Sequence, residues 1–184
     1  MKFIFILLIL ITFLFSPGCK SKKEEQIVLD SKDLESQMTE AYNKGLKALE
    51  DGDVLFAAKN FNIVENIYPQ SIWAPRSILM AAYSYYTQDY YGDSISELKR
   101  FLQNYPENES TPYAYFLLAT CYYELIVDEK KDLSSISQSK KYFNLILKKY
   151  PNTDFALDAK FKLLLINNIL ASKEVYLGIH FFFF

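Results

Sequence analysis

Small and large apolar residues alternate along the chain in a phase that predicts paired helices. Gly45 is followed by Ala57 and, four residues on, by Phe61. Ala82 and Tyr85 are followed by Ser94 and Leu98, and Tyr115, Leu118, Ala119 and Tyr122 by Ser139 and Phe143. Two antiparallel helices approach closely only where a small side chain at the crossing leaves room for a large one from the partner. Each such set therefore predicts one helix pair. The dipeptide Tyr-Pro closes every pair, at Tyr68-Pro69, Tyr105-Pro106 and Tyr150-Pro151. Proline pushes its predecessor out of the α region, so each second helix stops there. Between the two helices of the first pair, Gly52 ends one and Asp53 caps the next. Before the third pair, Ser110-Thr111-Pro112 sets a hydroxyl cap ahead of a first-turn proline.

The prolines fall 37 and then 45 residues apart, at 69, 106 and 151. That range marks a stacked-repeat protein, in which each unit buries its neighbour's apolar face. With each proline set at position 32 of the 34-residue tetratricopeptide (TPR) pattern, the small and large residues above take its signature places. The longer second spacing becomes an eight-residue insertion between the helices of the third pair. Ala48 stands where that pattern has an aromatic, and extended helix starts at Ser71 and Ser110 absorb the three residues by which the other copies exceed it. The expected architecture is all-α, a TPR-type solenoid of antiparallel helix pairs over residues 38–170, with the first helix of a fourth repeat over 171–184. A helical bundle without repeats is the alternative.

Ahead of the repeats, Met1-Lys2 precedes a run from Phe3 to Phe15 in which only Thr12 is polar. That run is shorter than the roughly 20 apolar residues of a membrane span and suits a signal peptide. Ser16-Pro17-Gly18-Cys19 follows, then Lys20-Ser21-Lys22-Lys23-Glu24-Glu25. This junction resembles a bacterial lipoprotein signal, which implies cleavage after residue 18 and lipid on Cys19. An ordinary secretory peptide is the alternative, and either exports the protein. Lys20 after the cysteine implies the periplasmic face of the outer membrane, where several acyl chains anchor firmly. Residues 19–37, charged and poor in aromatics, are expected to form a flexible arm. With Cys19 acylated, only Cys121 remains, so no internal disulfide forms and Cys121 is expected as a small buried residue.

Composition narrows the function. A formal charge of −2 lacks the basic stripe that nucleic-acid binding requires. Catalysis has little to work with: one histidine, His180, no glycine-rich phosphate loop and no metal-ligand cluster, so neither an enzyme nor a cofactor is expected. Glu97, Glu107, Glu109, Asp128 and Glu129 fall on helix surfaces or loops, where solvated charge is the ordinary state.

In TPR arrays the inner wall is built from the first helix of each pair. The phase places Tyr42, Leu46, Leu49, Arg76, Leu79, Tyr83, Tyr86, Tyr113, Phe116 and Tyr123 there. Tyrosine and phenylalanine offer large contact areas at little entropic cost, which suits gripping a peptide, and Arg76 suits a peptide carboxylate. Any one of these aromatics serves equally well in packing against the adjacent repeat.

Leader, arm and the Tyr-Pro repeats together resemble the BamD family of lipoproteins of the β-barrel assembly machinery. Cys121-Tyr122-Tyr123-Glu124 before the insertion and Leu170-Ala171-Ser172-Lys173-Glu174 after the third Tyr-Pro carry the resemblance most specifically. It implies a non-enzymatic scaffold, lipid-anchored at the outer membrane, that receives unfolded outer-membrane proteins in its amino-terminal repeats. Its implied partners are the barrel-forming subunit, docked mainly by carboxy-terminal repeats, and the other lipoproteins of the complex. That family has five repeats, whereas Leu177-Gly178-Ile179-His180-Phe181 carries the phase of a fourth first helix and the chain stops at Phe184, so a truncated chain is expected. The competing function is a periplasmic TPR lipoprotein that coordinates envelope constriction or peptidoglycan synthesis.

Overall fold

The computed structural model describes residues 31–126 and 133–183, most of which fall in seven helices. The leader, Cys19, the arm as far as residue 30, part of the insertion (127–132) and Phe184 lie outside them. The helices are α1 (Ser31–Glu50), α2 (Val54–Ile67), α3 (Trp73–Tyr86), α4 (Tyr91–Asn104), α5 (Thr111–Glu124), α6 (Leu133–Lys149) and α7 (Asp154–Phe183). Each packs on the next in chain order, and α7 also touches α5. The all-α stack of helix pairs is thus the one expected.

The small-large code is realised in the packing. A methyl group built on Gly45 would stand 2.8 Å from Cε1 of Phe61, which is fully buried. Ala57, Ala82, Ser94, Leu98, Ala119, Ser139 and Phe143 are also fully buried. Where serine takes the small place it finds a partner in the adjacent helix. Ser139 Oγ donates to the Ala119 carbonyl at 2.9 Å, and Cys121 Sγ donates to Ser94 Oγ at 3.3 Å. The core forms three successive clusters, each sharing the first helix of the following pair: Phe61 and Val64 with Ala81, Leu98 and Phe101 with Leu118, Phe143 and Ile146 with Leu163 and Ile166.

The turns repeat as closely as the helices. At each Tyr-Pro the tyrosine carbonyl accepts from the N–H three residues on, and that residue's carbonyl accepts three further on: Tyr68, Ser71, Ala74; Tyr105, Asn108, Thr111; Tyr150, Thr153, Ala156. Within pairs one and two the first helix ends in a Schellman motif, with Asp53 N–H bonded to the Ala48 carbonyl and Tyr90 N–H to the Tyr85 carbonyl. The left-handed residues are Gly52 (φ +80°) and Asp89 (φ +62°). Asp53 then caps α2, accepting from Phe56 N–H at 3.0 Å. Gly52→Ala is expected to lower stability by about 1 to 2 kcal/mol, since a Cβ disfavours this conformation; a denaturant titration measures it. Adjacent repeats are tied at both ends of the stack. Tyr105 Oη donates to the Pro69 carbonyl at 2.8 Å, and Gln88 Nε2 to the Gly52 carbonyl at 3.2 Å.

Four expectations change. First, α1 begins at Ser31, so the last residues given to the arm are helical. There Gln37 donates to Asp33 at 3.0 Å, and an acidic first turn favours helix in an otherwise exposed segment. Second, no break separates residues 170 and 171, because α7 continues for 30 residues. It has no proline and no glycine before Gly178 to stop it, and Leu163, Ile166, Ile169 and Leu170 pack in the third cluster. Gly178, in the segment that carries the phase of a fourth first helix, has nothing within 4 Å of a built Cβ. Third, Ser110 stands before α5 without a side-chain cap bond; its own N–H donates to Asn108 Oδ1 instead. Fourth, Glu97 is not a solvated charge. It pairs with Arg100 at 2.6 Å with its side chain 14% exposed, held between α2 and α4. Asp128 and Glu129 lie outside the described residues.

Candidate functional site

The first helices α1, α3, α5 and α7 lie side by side, and the residues of the expected wall meet across them. Tyr42 of α1 lies against Trp73 of α3, ring centroids 5.4 Å apart, and Arg76 of α3 stacks over both, its Cζ 5.8 Å from the Tyr42 centroid and 5.7 Å from that of Trp73. On α5, Tyr113 and Phe116 both meet Phe155 of α7, at 5.8 and 5.6 Å. Lys162 of α7 stands 4.1 Å from the Tyr123 ring centre and 3.7 Å from Glu124.

Exposure divides the ten wall residues. Tyr42 and Leu79 are buried and belong to the core, Tyr42 edge-on to Phe61 at 5.3 Å. The physical reason is that α3 closes over one side of α1, and the phase that points a side chain inward does not say which neighbour covers it. Leu46 and Leu49 are half-buried against the first cluster. Tyr86, Tyr113, Phe116 and Tyr123 are half-buried, each with one side occupied by a neighbouring ring or cation. Arg76 and Tyr83 are exposed. Arg76 and Tyr83 are therefore the most accessible of the ten, with the partly covered rings around them.

Sequence reasoning left out Trp73, Phe155, Lys162, Phe161 and Leu165. The signal for the last two was available: stepping from Phe116 and Thr120 by the 45 residues between the second and third prolines leads to Phe161 and Leu165 on α7, which are 61% and 46% exposed. They were overlooked because α7 was divided at residue 170.

Chemically the wall is aromatic and largely uncharged. Burial, with Tyr83 beside it, pushes the Tyr113 hydroxyl up to about 12, and burial followed by the Glu124 charge raises Tyr86. Both stay neutral at physiological pH and offer hydroxyl groups rather than charge. Cys121, behind this layer, is fully buried, and burial pushes its thiol up to about 11 from 9.0. A raised thiol pKa means that the protonated form is the one the fold stabilises. That contribution is complete below pH 9.0 and is lost as pH rises toward 11. Wild-type protein is accordingly expected to lose stability in that window relative to Cys121→Ser, as thermal melts across the pH range would show. Its thiol is also expected to react with a disulfide reagent at pH 8 only after denaturant is added.

Comparison with solved structures defines the class. The first TPR of Spaghetti (RPAP3), bound to an HSP90 peptide, aligns with a TM-score of 0.55 at 18% identity, covering 74% of this chain and 94% of that one. The first TPR domain of human RPAP3 gives the same TM-score at 20% identity, over 75% and 95%. The chain is an all-α protein with a TPR-like fold.

Within that class, residues 34–183 match the family described as "YfiO: Outer membrane lipoprotein", and the chain belongs to this family, that of BamD. It is 36% identical over 162 residues to the outer membrane protein assembly factor BamD of Caulobacter vibrioides, covering 88% of this chain and 52% of that protein. It is 35% identical over 161 residues to BamD of Rickettsia prowazekii, covering 88% and 62%. The chain thus spans between half and two thirds of the length of these relatives. Among the described residues, no helix is long and apolar enough to cross a membrane.

Proposed function

We propose that this chain is a non-enzymatic scaffold in the assembly of outer-membrane β-barrel proteins, and that it holds unfolded segments of those proteins against the wall of α1, α3, α5 and α7. The observation that carries the binding reading is the exposed pair Arg76 and Tyr83, set among half-buried rings on adjacent helices. The relatives named outer membrane protein assembly factors support the setting. In this reading Cys19 carries the lipid that tethers the chain to the periplasmic face of the outer membrane, and the machinery's barrel-forming subunit and other lipoproteins are its partners.

Among the wall aromatics, Phe116 is a poor probe of binding. Phe116 touches Phe143 at 5.9 Å as well as Phe155, so its removal would disturb packing. Tyr83 is the cleaner probe. A photo-crosslinking amino acid at position 83 is expected to capture nascent outer-membrane proteins, and depletion of the protein is expected to lower several folded barrels together. Normal barrel levels after depletion would sink the assembly reading and favour a role in envelope constriction. Normal crosslinking from position 83 to wall enzymes instead of barrel precursors would do the same.

A further inference from the structure

The second helices α2, α4 and α6 form the layer behind the wall, and the two gaps between them are filled differently. Between α2 and α4 the facing positions are Asn62, Glu65, Glu97 and Arg100, which bond to one another across the gap. Counted back from the prolines at 69, 106 and 151, the same four positions on α4 and α6 hold Lys99, Leu102, Tyr142 and Leu145. A self-satisfied polar network has become two leucines, a tyrosine and a cation. Tyr122 of α5 lies between them: Lys99 Nζ stands 5.7 Å from its ring centre, and the Tyr142 ring stacks on it at 6.0 Å and 13°. Leu102, Tyr122, Tyr142 and Leu145 are half-buried, and Leu145 packs in none of the three core clusters.

Charge on this side is of one sign. Lys141 Nζ stands 5.3 Å from the Tyr142 ring centre, and α6 carries Lys140, Lys141, Lys148 and Lys149 with no acidic residue, in a chain whose formal charge is −2. Lys99 and Lys141 are exposed, and neither has a carboxylate within ion-pair distance among the described residues. A strip of leucine and tyrosine with unpaired ammonium groups at its rim is the complement of an amphipathic helix edged with acidic side chains. The inner side of the same two helices already takes a helix, since α5 packs on both α4 and α6. A flat anionic surface would meet the lysines but not the strip between the helices. We infer that the outer gap between α4 and α6 is a docking surface for an amphipathic helix of a partner protein. Its apolar side chains lie over Leu102, Tyr142 and Leu145, and its Glu or Asp side chains pair with Lys99 and Lys141. The surface lies behind the proposed peptide wall and does not depend on it. With 14 residues, α4 is about 21 Å long, so the partner helix needs about four turns, with its apolar residues three and four apart along one stripe. Its carboxylates supply between chains the pairing that Glu65 and Glu97 give Arg100 within this one.

Full-chain protein titrated by anisotropy with fluorescein-labelled helical peptides of about 18 residues tests this. The peptides share one leucine stripe, flanked by glutamates in the first, glutamines in the second and lysines in the third. Wild type is expected to bind the glutamate peptide roughly tenfold or more above the glutamine one, and the lysine one more weakly still, with the preference shrinking as salt is raised. Lys99→Met together with Lys141→Met, which keeps the stems over the rings, is expected to remove the glutamate preference. Leu145→Glu is expected to weaken the glutamate peptide at least tenfold, by placing a like charge in the strip. Circular dichroism of these variants should match wild type, since none of the three side chains belongs to the core. Equal binding of the glutamate and glutamine peptides by wild type overturns the docking surface, as does a glutamate preference that survives the double methionine change. Binding untouched by Leu145→Glu puts the peptide elsewhere on the protein and overturns it too. If no peptide binds, the inference fails; binding of phosphatidylglycerol vesicles that then depends on Lys99 and Lys141 would assign these lysines to a membrane surface instead.

Discussion

Phe61→Ala is expected to remove about 3 to 5 kcal/mol of folding free energy, a large share of the total for a domain of this size. The ring is fully buried between α1 and α2, edge-on to Tyr42, and its Cε1 faces Gly45. The same contact predicts the reverse experiment. Gly45→Val would drive a side chain into a ring that has no room to retreat, at an expected cost of about 1 to 3 kcal/mol or more. The two changes are expected to be non-additive, because the cavity left by Phe61→Ala receives the valine. A double-mutant cycle by urea denaturation measures this; strict additivity would mean that the glycine and the ring do not share the crossing. Hydrogen exchange should show the loss first in α1 and α2, since a stacked repeat passes stability only to its neighbours.

Arg100→Met is expected to cost about 2 to 4 kcal/mol, more than a surface ion pair would. Arg100 joins two helices: it pairs with Glu65 of α2 and Glu97 of α4, and donates to Asn62 Oδ1 at 2.6 Å. The Glu65 side chain is 7% exposed, so removing the guanidinium strands a carboxylate away from water. The Arg100 side chain is 33% exposed, which keeps the expected loss below that for a fully buried pair. Replacing both partners, as Arg100→Met with Glu65→Leu, is expected to recover at least half of the loss, because the penalty comes from the unpaired charge rather than from the missing bond. Thermal melts of the two single variants and the double variant decide this; a double variant as unstable as the worse single one would assign the effect to lost packing.

These two sites differ in how far they could be read from the chain. Gly45 and Phe61 were legible because the repeat pattern needs a small residue opposite a large one. The Arg100 network was not: Glu97 reads as surface charge until α2 is known to lie against α4, and its partners are 35 and 38 positions away from Arg100 in the sequence. The wall shows the same division. Arg76 and Tyr83 are exposed as its phase requires, but Tyr42 and Leu79 obey that phase and are buried. Phase determines the direction of a side chain from its helix; coverage depends on the neighbour.

By itself, the sequence determined the helical pairs, the close crossings and the turns, since each depends on steric rules that act over one repeat. Proline ends a helix, glycine permits a left-handed turn, and a small residue admits a ring, whatever lies elsewhere in the chain. Tertiary structure alone decided the cation platform of Tyr42, Trp73 and Arg76, the polar network across α2 and α4, and the unbroken course of α7. Each of these depends on which helices become neighbours and how much water is left between them, and burial and pairing energies take their values only once that is settled.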